Sequence, residues 1–273
     1  MSATRLRSLV ALTVCEVVMI APSRSSAADS DASQPVQVVA NDTSSAATWV
    51  APTLLVTPAG ALPTYGARVT VGTDYASPRG SADSLRPVGA FEIGLGKGFT
   101  VGAGTQWIGG DVGTGTDGLS PYAQVRLQVF GSPDGEGWVG GAALRYKQVG
   151  FGGGEKETEA SFATRYRRDR IEVGLEGVFG QSMKDAGEHD VEARAYGVIR
   201  PISFLALGLT GQARTSVGET DANSPPRTWD LTGGGIASAV FGTMQLGVMG
   251  GATTLNLASG VGATGQAFAA YRF

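Results

Sequence analysis

The stretch IEVGLEGVFG, residues 171–180, decides how this chain is read. Ile171, Val173, Leu175 and Phe179 fall on one parity, and Glu172, Gly174 and Glu176 on the other. A period of two marks an extended strand, whose successive side chains point to opposite faces. One of these faces is wholly apolar, while the other carries two carboxylates. A strand of this kind separates an apolar medium from a polar one.

The same period recurs along the chain. Ala67, Val69, Val71, Thr73 and Tyr75 alternate with Arg68, Thr70, Gly72 and Asp74. Phe91, Ile93 and Leu95 alternate with Glu92 and Gly94, and Phe99, Val101, Ala103 and Trp107 with Thr100, Gly102 and Gln106. Val125, Leu127 and Val129 frame Arg126 and Gln128; Val191, Ala193 and Ala195 frame Glu192 and Arg194; Leu205, Leu207 and Leu209 frame Ala206 and Gly208. Continued to the end, the pattern predicts about twelve strands. They lie near 67–75, 87–96, 99–109, 121–130, 137–149, 157–167, 170–180, 190–199, 204–214, 228–240, 243–254 and 261–273. The breaks near Gly150 and Asn256 leave ten and fourteen strands open.

The connections alternate in kind. Short turns fall at Gly96 to Gly98, Ser132 to Glu136, Arg168-Asp169, Pro201-Ile202 and Phe241-Gly242. Longer polar loops fall at Ala76 to Arg86, Gly110 to Ser120, Gly150 to Lys156, Ser182 to His189, Thr215 to Arg227 and Asn256 to Gly260. An up-and-down antiparallel sheet with one tight end and one elaborated end has this arrangement.

Composition agrees with an all-β chain. Glycine supplies 42 of 273 residues, about twice its usual share, which works against helices. Charged residues are 16% and the net charge is −3, which argues against a nucleic-acid partner. Residues 1–28 read as a cleaved export signal: Arg5 and Arg7, a mostly apolar run from Ser8 to Pro22, then Ser25 to Ala28. The single cysteine, Cys15, lies within that run, and Val14 before it is too large for a lipid-attachment box, so the mature chain is expected to hold no thiol or disulfide. Residues 29–63 read as a flexible periplasmic lead-in. Its second part, Thr48 to Pro63, is more apolar and carries Pro52, Pro58 and Pro63, which suit no central strand. That part docks on something or lies inside the sheet's closed form.

A soluble sandwich also alternates, but three features favour a membrane. The segments are about ten residues long, the length that crosses a bilayer at a tilt, whereas globular strands average about five or six. The polar face mixes Gly, Ala and Thr with charges of both signs. Aromatics cluster at the strand ends: Phe99, Trp138, Tyr166, Phe241 and Phe273 at the short-turn end, with Tyr75, Trp107, Phe179 and Trp229 toward the long loops. Over residues 64–273 the chain resembles a bacterial outer-membrane β-barrel. The resemblance is architectural and singles out no subfamily. It implies a transmembrane antiparallel up-and-down β-barrel in the outer membrane, surrounded by lipid, with both termini and the short turns in the periplasm.

In that family the last strand is also the signal read by the assembly machinery. The signal ends in an aromatic, with another aromatic two residues earlier. Tyr271 and Phe273 fit it, and Gln266 supplies the polar residue seven before the end. Phe268 stands where the pattern has glycine.

Alternation assigns the charges to the lumen, because a charge on the lipid face near the midplane costs about 2–4 kcal/mol. From the first half of the chain these are Arg68, Glu92, Arg126, Arg145, Lys147, Glu159 and Arg165. From the second half they are Glu172, Glu176, Glu192, Arg194, Arg214, Asp230 and Arg272. They read either as ion pairs that stiffen a filled barrel or as the lining of a pore for small hydrophilic solutes. Nearly balanced signs imply weak ion selectivity.

No enzyme is expected. Barrel phospholipases need a Ser activated by a His, and the single histidine, His189, lies in a predicted loop with no Ser-Asn-Gly stretch after it. The acids Asp111, Asp117, Glu188 and Asp190, which an acid-based barrel protease would need at its rim, are not tied together by spacing. GLGKG (94–98) and GFGGG (150–154) lack the Gly-Lys-Ser/Thr ending and the helix of a phosphate loop. GGDVGTGTDG (109–118) lacks the closing Glu of a calcium loop. No cofactor or metal is expected. The leading expectation is a narrow channel or transporter, and the alternative is a non-conducting barrel that presents its outer loops to a partner.

Overall fold

The computed structural model describes residues 51–79, 83–108, 118–133, 135–148, 156–183, 188–218, 229–254 and 260–273. Twelve strands form: β1 (Ala67–Ser77), β2 (Ser84–Gly96), β3 (Phe99–Ile108), β4 (Gly118–Phe130), β5 (Gly137–Gln148) and β6 (Lys156–Arg168), then β7 (Ile171–Ser182), β8 (Glu188–Ile202), β9 (Leu205–Gly218), β10 (Trp229–Phe241), β11 (Met244–Thr254) and β12 (Gly262–Arg272). Each pairs antiparallel with its sequence neighbours, and β1 pairs with β12, from Arg68↔Arg272 to Ser77↔Ala263. The sheet is thus a closed up-and-down barrel of twelve strands, which settles the count left open by the sequence. Closure pairs the backbone of every strand on both sides, the condition for strands to cross hydrocarbon.

The strands run past the predicted limits mainly at the long-loop end. β2 begins at Ser84, β4 at Gly118 and β8 at Glu188, while β9 continues to Gly218. Those extensions are polar, so hydropathy alone gave no reason to include them; pairing with a neighbour holds them in the sheet. His189, expected in a loop, is therefore the second residue of β8, opposite Gln181, with its ring stacked on Phe179 at 5.3 Å.

At the other end, backbone conformation explains the tight turns. Gly96, Lys97 and Gly98 all adopt positive φ (87°, 49° and 80°), a region that glycine enters without penalty. GLGKG is accordingly a hairpin turn. Register irregularities fall beside short turns, at Gly94/Gly96, Gln128/Phe130 and Ile199/Ile202, where bulges commonly re-aim a strand.

The parity of IEVGLEGVFG holds in three dimensions. Glu172, Gly174, Glu176 and Val178 are buried and Ile171, Val173, Leu175 and Phe179 exposed. Around the barrel the exposed face carries Val71, Phe91, Leu144, Phe162, Leu209 and Val248. A soluble monomer rarely exposes a continuous apolar patch above a few hundred Å², so this belt identifies hydrocarbon as the barrel's surroundings. Paired aromatics edge the belt at the short-turn end: Trp138 with Tyr166 (centroids 5.1 Å apart), Phe204 with Phe241 (5.9 Å) and Tyr271 with Phe273 (4.8 Å). Tyr75, Phe179 and Trp229 are exposed toward the long loops. The side chain of Trp107 lies outside the described residues.

A direct check follows at Leu175, midway along β7 and 55% exposed. Leu175→Arg should lower the stability of the barrel in phospholipid vesicles by about 2–4 kcal/mol, measured by denaturant titration. Tolerance of arginine there would mean that this face does not meet lipid.

Candidate functional site

The inner wall is a set of cross-strand ion pairs whose members sit opposite one another in register. Arg145 of β5 faces Glu159 of β6 (3.2 Å), and Lys147 bridges Glu157 (2.7 Å) and Glu159 (2.9 Å). Arg194 of β8 joins Glu176 of β7 (3.3 Å) to Glu192. Arg214 of β9 meets Asp190 and Glu192. Arg145 also lies over the ring of Tyr122, 4.9 Å from its centroid. Deeper, Arg200 pairs with Glu172, whose second oxygen accepts the Tyr196 hydroxyl at 2.8 Å.

Another buried group spans three strands. Arg68 of β1 binds Glu92 of β2 through its Nε (2.7 Å) and Nη2. The other carboxylate oxygen meets Arg126 of β4 at 2.8 Å and accepts from Gln124 at 3.0 Å. β3 lies between, but the residue opposite Glu92 is Gly102, whose missing side chain leaves the gap that Glu92 crosses. All three charged residues are at most 6% exposed.

Inside this wall runs the segment before β1. Ala51 and Val56 pack among Tyr196, Val198, Ala206, Ile236, Val240 and Met249, the apolar quarter of the interior. Thr53 donates its hydroxyl to Gln266 (3.2 Å), and the Thr57 N–H donates to Glu176 (2.9 Å). Arg126 donates to the Pro58 carbonyl (2.7 Å) and, more distantly, to that of Gly60 (3.4 Å). The Ala61 N–H reaches Gln128 (3.0 Å), the Leu62 N–H reaches Thr100 (2.9 Å), and the Tyr65 N–H reaches the Gly94 carbonyl (2.8 Å). The chain thus rises to mid-height near Gln266 and descends to the short-turn rim, where β1 begins.

Irregular backbone is tolerated there because the polar wall supplies its partners, and Pro52, Pro58 and Pro63 remove three N–H groups that would otherwise need one. Two wall glycines make room. A Cβ on Gly94 would stand 2.0 Å from the Pro63 carbonyl oxygen, and one on Gly141 would stand 2.4 Å from that of Ala59. The lead-in expected over residues 29–63 therefore divides. Residues 29–50, like the signal 1–28, lie outside the described residues, whereas 51–63 sit in the lumen rather than the periplasm.

The loop partitions the interior. Above it, toward the long loops, a cavity of about 570 Å³ is lined by Leu54 to Thr57 and by wall charges including Arg86, Lys147, Asp190 and Arg194. Beside it, toward the short turns, the space shrinks to about 50 Å³. The charge is uneven along this axis. Near the short-turn end, Arg68, Arg126, Arg165, Arg167, Arg200 and Arg272 face Glu92 and Glu172, with Glu176 nearer mid-height.

Of the other charges read from the sequence, Arg165 is buried and donates to the Pro133 carbonyl (2.7 Å), Arg272 lines the smaller cavity, and Asp230 is half-buried opposite Arg214. The lumen charges selected from the sequence did not include Asp74, Arg86, Glu157, Arg167, Asp190 and Arg200, which also face inward. Asp74, Glu157 and Arg167 share parity with the selected residues, so the signal was present. Arg86 and Arg200 lay just beyond the predicted strand limits. At the last strand, Gln266 faces inward and is shared between Thr53 and Asp74. Tyr271 and Phe273 are exposed at the rim, and Phe268 points inward, its ring over Gly247. The acids Asp111 and Asp117 and the stretch GFGGG lie outside the described residues, as does the Glu188 side chain.

No protein-family model matches the sequence, and comparison with curated proteins finds no relative. Solved structures do match in shape. An outer-membrane channel from Pseudomonas putida F1 superposes with a TM-score of 0.55 at 15% identity, covering 78% of this chain and 97% of that one. The NanC porin gives 0.52 at 7% identity (74% and 98%), and the KdgM porin 0.50 at 11% (76% and 99%). At such identities the likeness is one of fold. The closed barrel and its apolar belt define a transmembrane β-barrel. Its fold is that of the bacterial outer-membrane porins and channels.

Proposed function

We propose that this barrel lies in the bacterial outer membrane and passes small hydrophilic solutes. The loop Ala51 to Pro63 serves as an internal plug that sets the resting conductance. The observation that carries this reading is the polar inner wall, which holds a cavity of about 570 Å³ at one end and is narrowed by the loop at the other. A barrel built only for rigidity gains nothing from a cavity of that size lined by charges, since buried ion pairs alone are weak stabilisers. The solved structures of similar fold that carry the names porin and channel support the same reading. So does the lumen's chemistry, which among the described residues is one of ion pairs and hydrogen-bonding groups. Tyr271 and Phe273, exposed at the rim, are the residues through which the last strand would meet the assembly machinery.

Reconstitution in planar bilayers tests the proposal. The full chain is expected to give small unitary currents, and a chain lacking residues 51–63 is expected to give currents several-fold larger. Silence from both would favour the second reading, a non-conducting barrel that presents its outer loops to a partner. That reading draws on the number of wall bonds that hold the loop in place.

A further inference from the structure

We infer that the short-turn end of the lumen is an anion filter, so that the preferred solutes carry a carboxylate or phosphate group. This inference rests on the channel reading and assigns its substrate class.

It starts from which charges are already neutralised. Glu92, Glu157, Glu159, Glu172, Glu176, Asp190 and Glu192 each hold at least one cation. Among the described residues, Arg165, Arg167 and Arg272 have no carboxylate within ion-pair distance. The three face the lumen within the last turn-proximal residues of β6 and β12. The small cavity beside the plug is lined by Arg68, Arg165 and Arg272 and by no acidic side chain.

The donors there are also unused. Arg165 is 7% exposed and gives Nη2 to the Pro133 carbonyl, while its Nε is buried without an acceptor. Nη1 of Arg272 and Nη1 of Arg167 are in the same condition. A buried guanidinium N–H without an acceptor is unfavourable, and a carboxylate or phosphate oxygen satisfies both its charge and its geometry. The paired carboxylates of the wall are held elsewhere by their cations, and Asp74 and Asp230, which join no ion pair among the described residues, lie toward the long-loop ends of β1 and β10. A solute leaving the charge-balanced upper cavity therefore meets a segment where uncompensated positive charge decides passage. Balanced composition had implied weak selectivity; the pairing pattern leaves the unpaired charge at the short-turn end positive.

The test is the reversal potential of the full chain in planar bilayers under a steep KCl gradient. Chloride should permeate over potassium by about threefold or more at low salt, with the preference fading in concentrated KCl as screening shortens the field. The variant Arg165→Gln/Arg272→Gln should bring the ratio near unity, and Arg165→Lys/Arg272→Lys should retain it, which separates charge from folding. Arg168→Gln, at the last residue of β6 with a side chain 74% exposed, should leave the ratio unchanged. Currents without anion preference, or a preference that survives the glutamine pair, would overturn the filter while leaving the channel standing. No current from any chain would remove the channel reading and the filter with it.

Discussion

Replacing Glu92 by glutamine is expected to lower the stability of the barrel by about 3–5 kcal/mol, the range found when one member of a buried charge group is removed. Glu92 is the only anion bound to Arg68 and Arg126 in the described ion pairs, and both arginines are at least nine-tenths buried. Glutamine keeps the shape and one acceptor but leaves two guanidinium charges without a counter-charge, where water reaches neither well. The loss should exceed by several-fold that of Asp190→Asn, whose partner Arg214 has a side chain 45% exposed. Exposed pairs contribute at most about 1 kcal/mol. Denaturant titration in phospholipid vesicles measures both. Equal, small losses would show that the Glu92 site is as well hydrated as the rim. Replacing Arg68, Glu92 and Arg126 together by methionine should recover much of the loss, because the penalty lies in the unmatched charge rather than in the missing bonds.

The second large effect concerns the plug. Gly94→Val should raise the unitary conductance several-fold, toward that of the chain lacking residues 51–63. The added Cβ alone would lie 2.0 Å from the Pro63 carbonyl oxygen and 2.7 Å from that of Leu62, distances no packed atoms tolerate. The wall is held by hydrogen bonds to two neighbouring strands, whereas the loop is held by single bonds, so the loop is the part that moves. The decisive arm is the double change. In the chain lacking residues 51–63 the obstructing carbonyls are gone, and Gly94→Val should have almost no effect. Such non-additivity is expected only between groups in contact. If valine changed conductance equally in both backgrounds, it would be acting on the wall rather than on the plug.

Stretches such as IEVGLEGVFG were enough to read the barrel. Each strand carries its own record of which face meets lipid, because side-chain parity is local and the cost of misplacing Leu175 or Glu172 is large. The turns were legible for a similar reason: Gly96 and Gly98 mark a conformation that few residues share. Charges such as Arg145 and Glu159 were assigned to a face by the same parity. Arg200 and Arg86 were lost where polar strand ends blur into loops.

What parity cannot supply is the neighbour across the lumen. That Glu92 reaches over Gly102 to Arg126 depends on register among β2, β3 and β4. That Arg165 and Arg272 lack a carboxylate within ion-pair distance depends on where the wall carboxylates lie and which cations hold them. The segment from Ala51 to Pro63 has no periodicity at all, and its prolines said only that it was not a strand. Its place inside the barrel is set by partners as distant in sequence as Glu176 and Gln266. The sequence by itself determined a wall of antiparallel strands with one face for lipid and one for charge. The closed tertiary structure alone decided which charges cancel and what fills the lumen, because those are sums over contacts that no single strand contains.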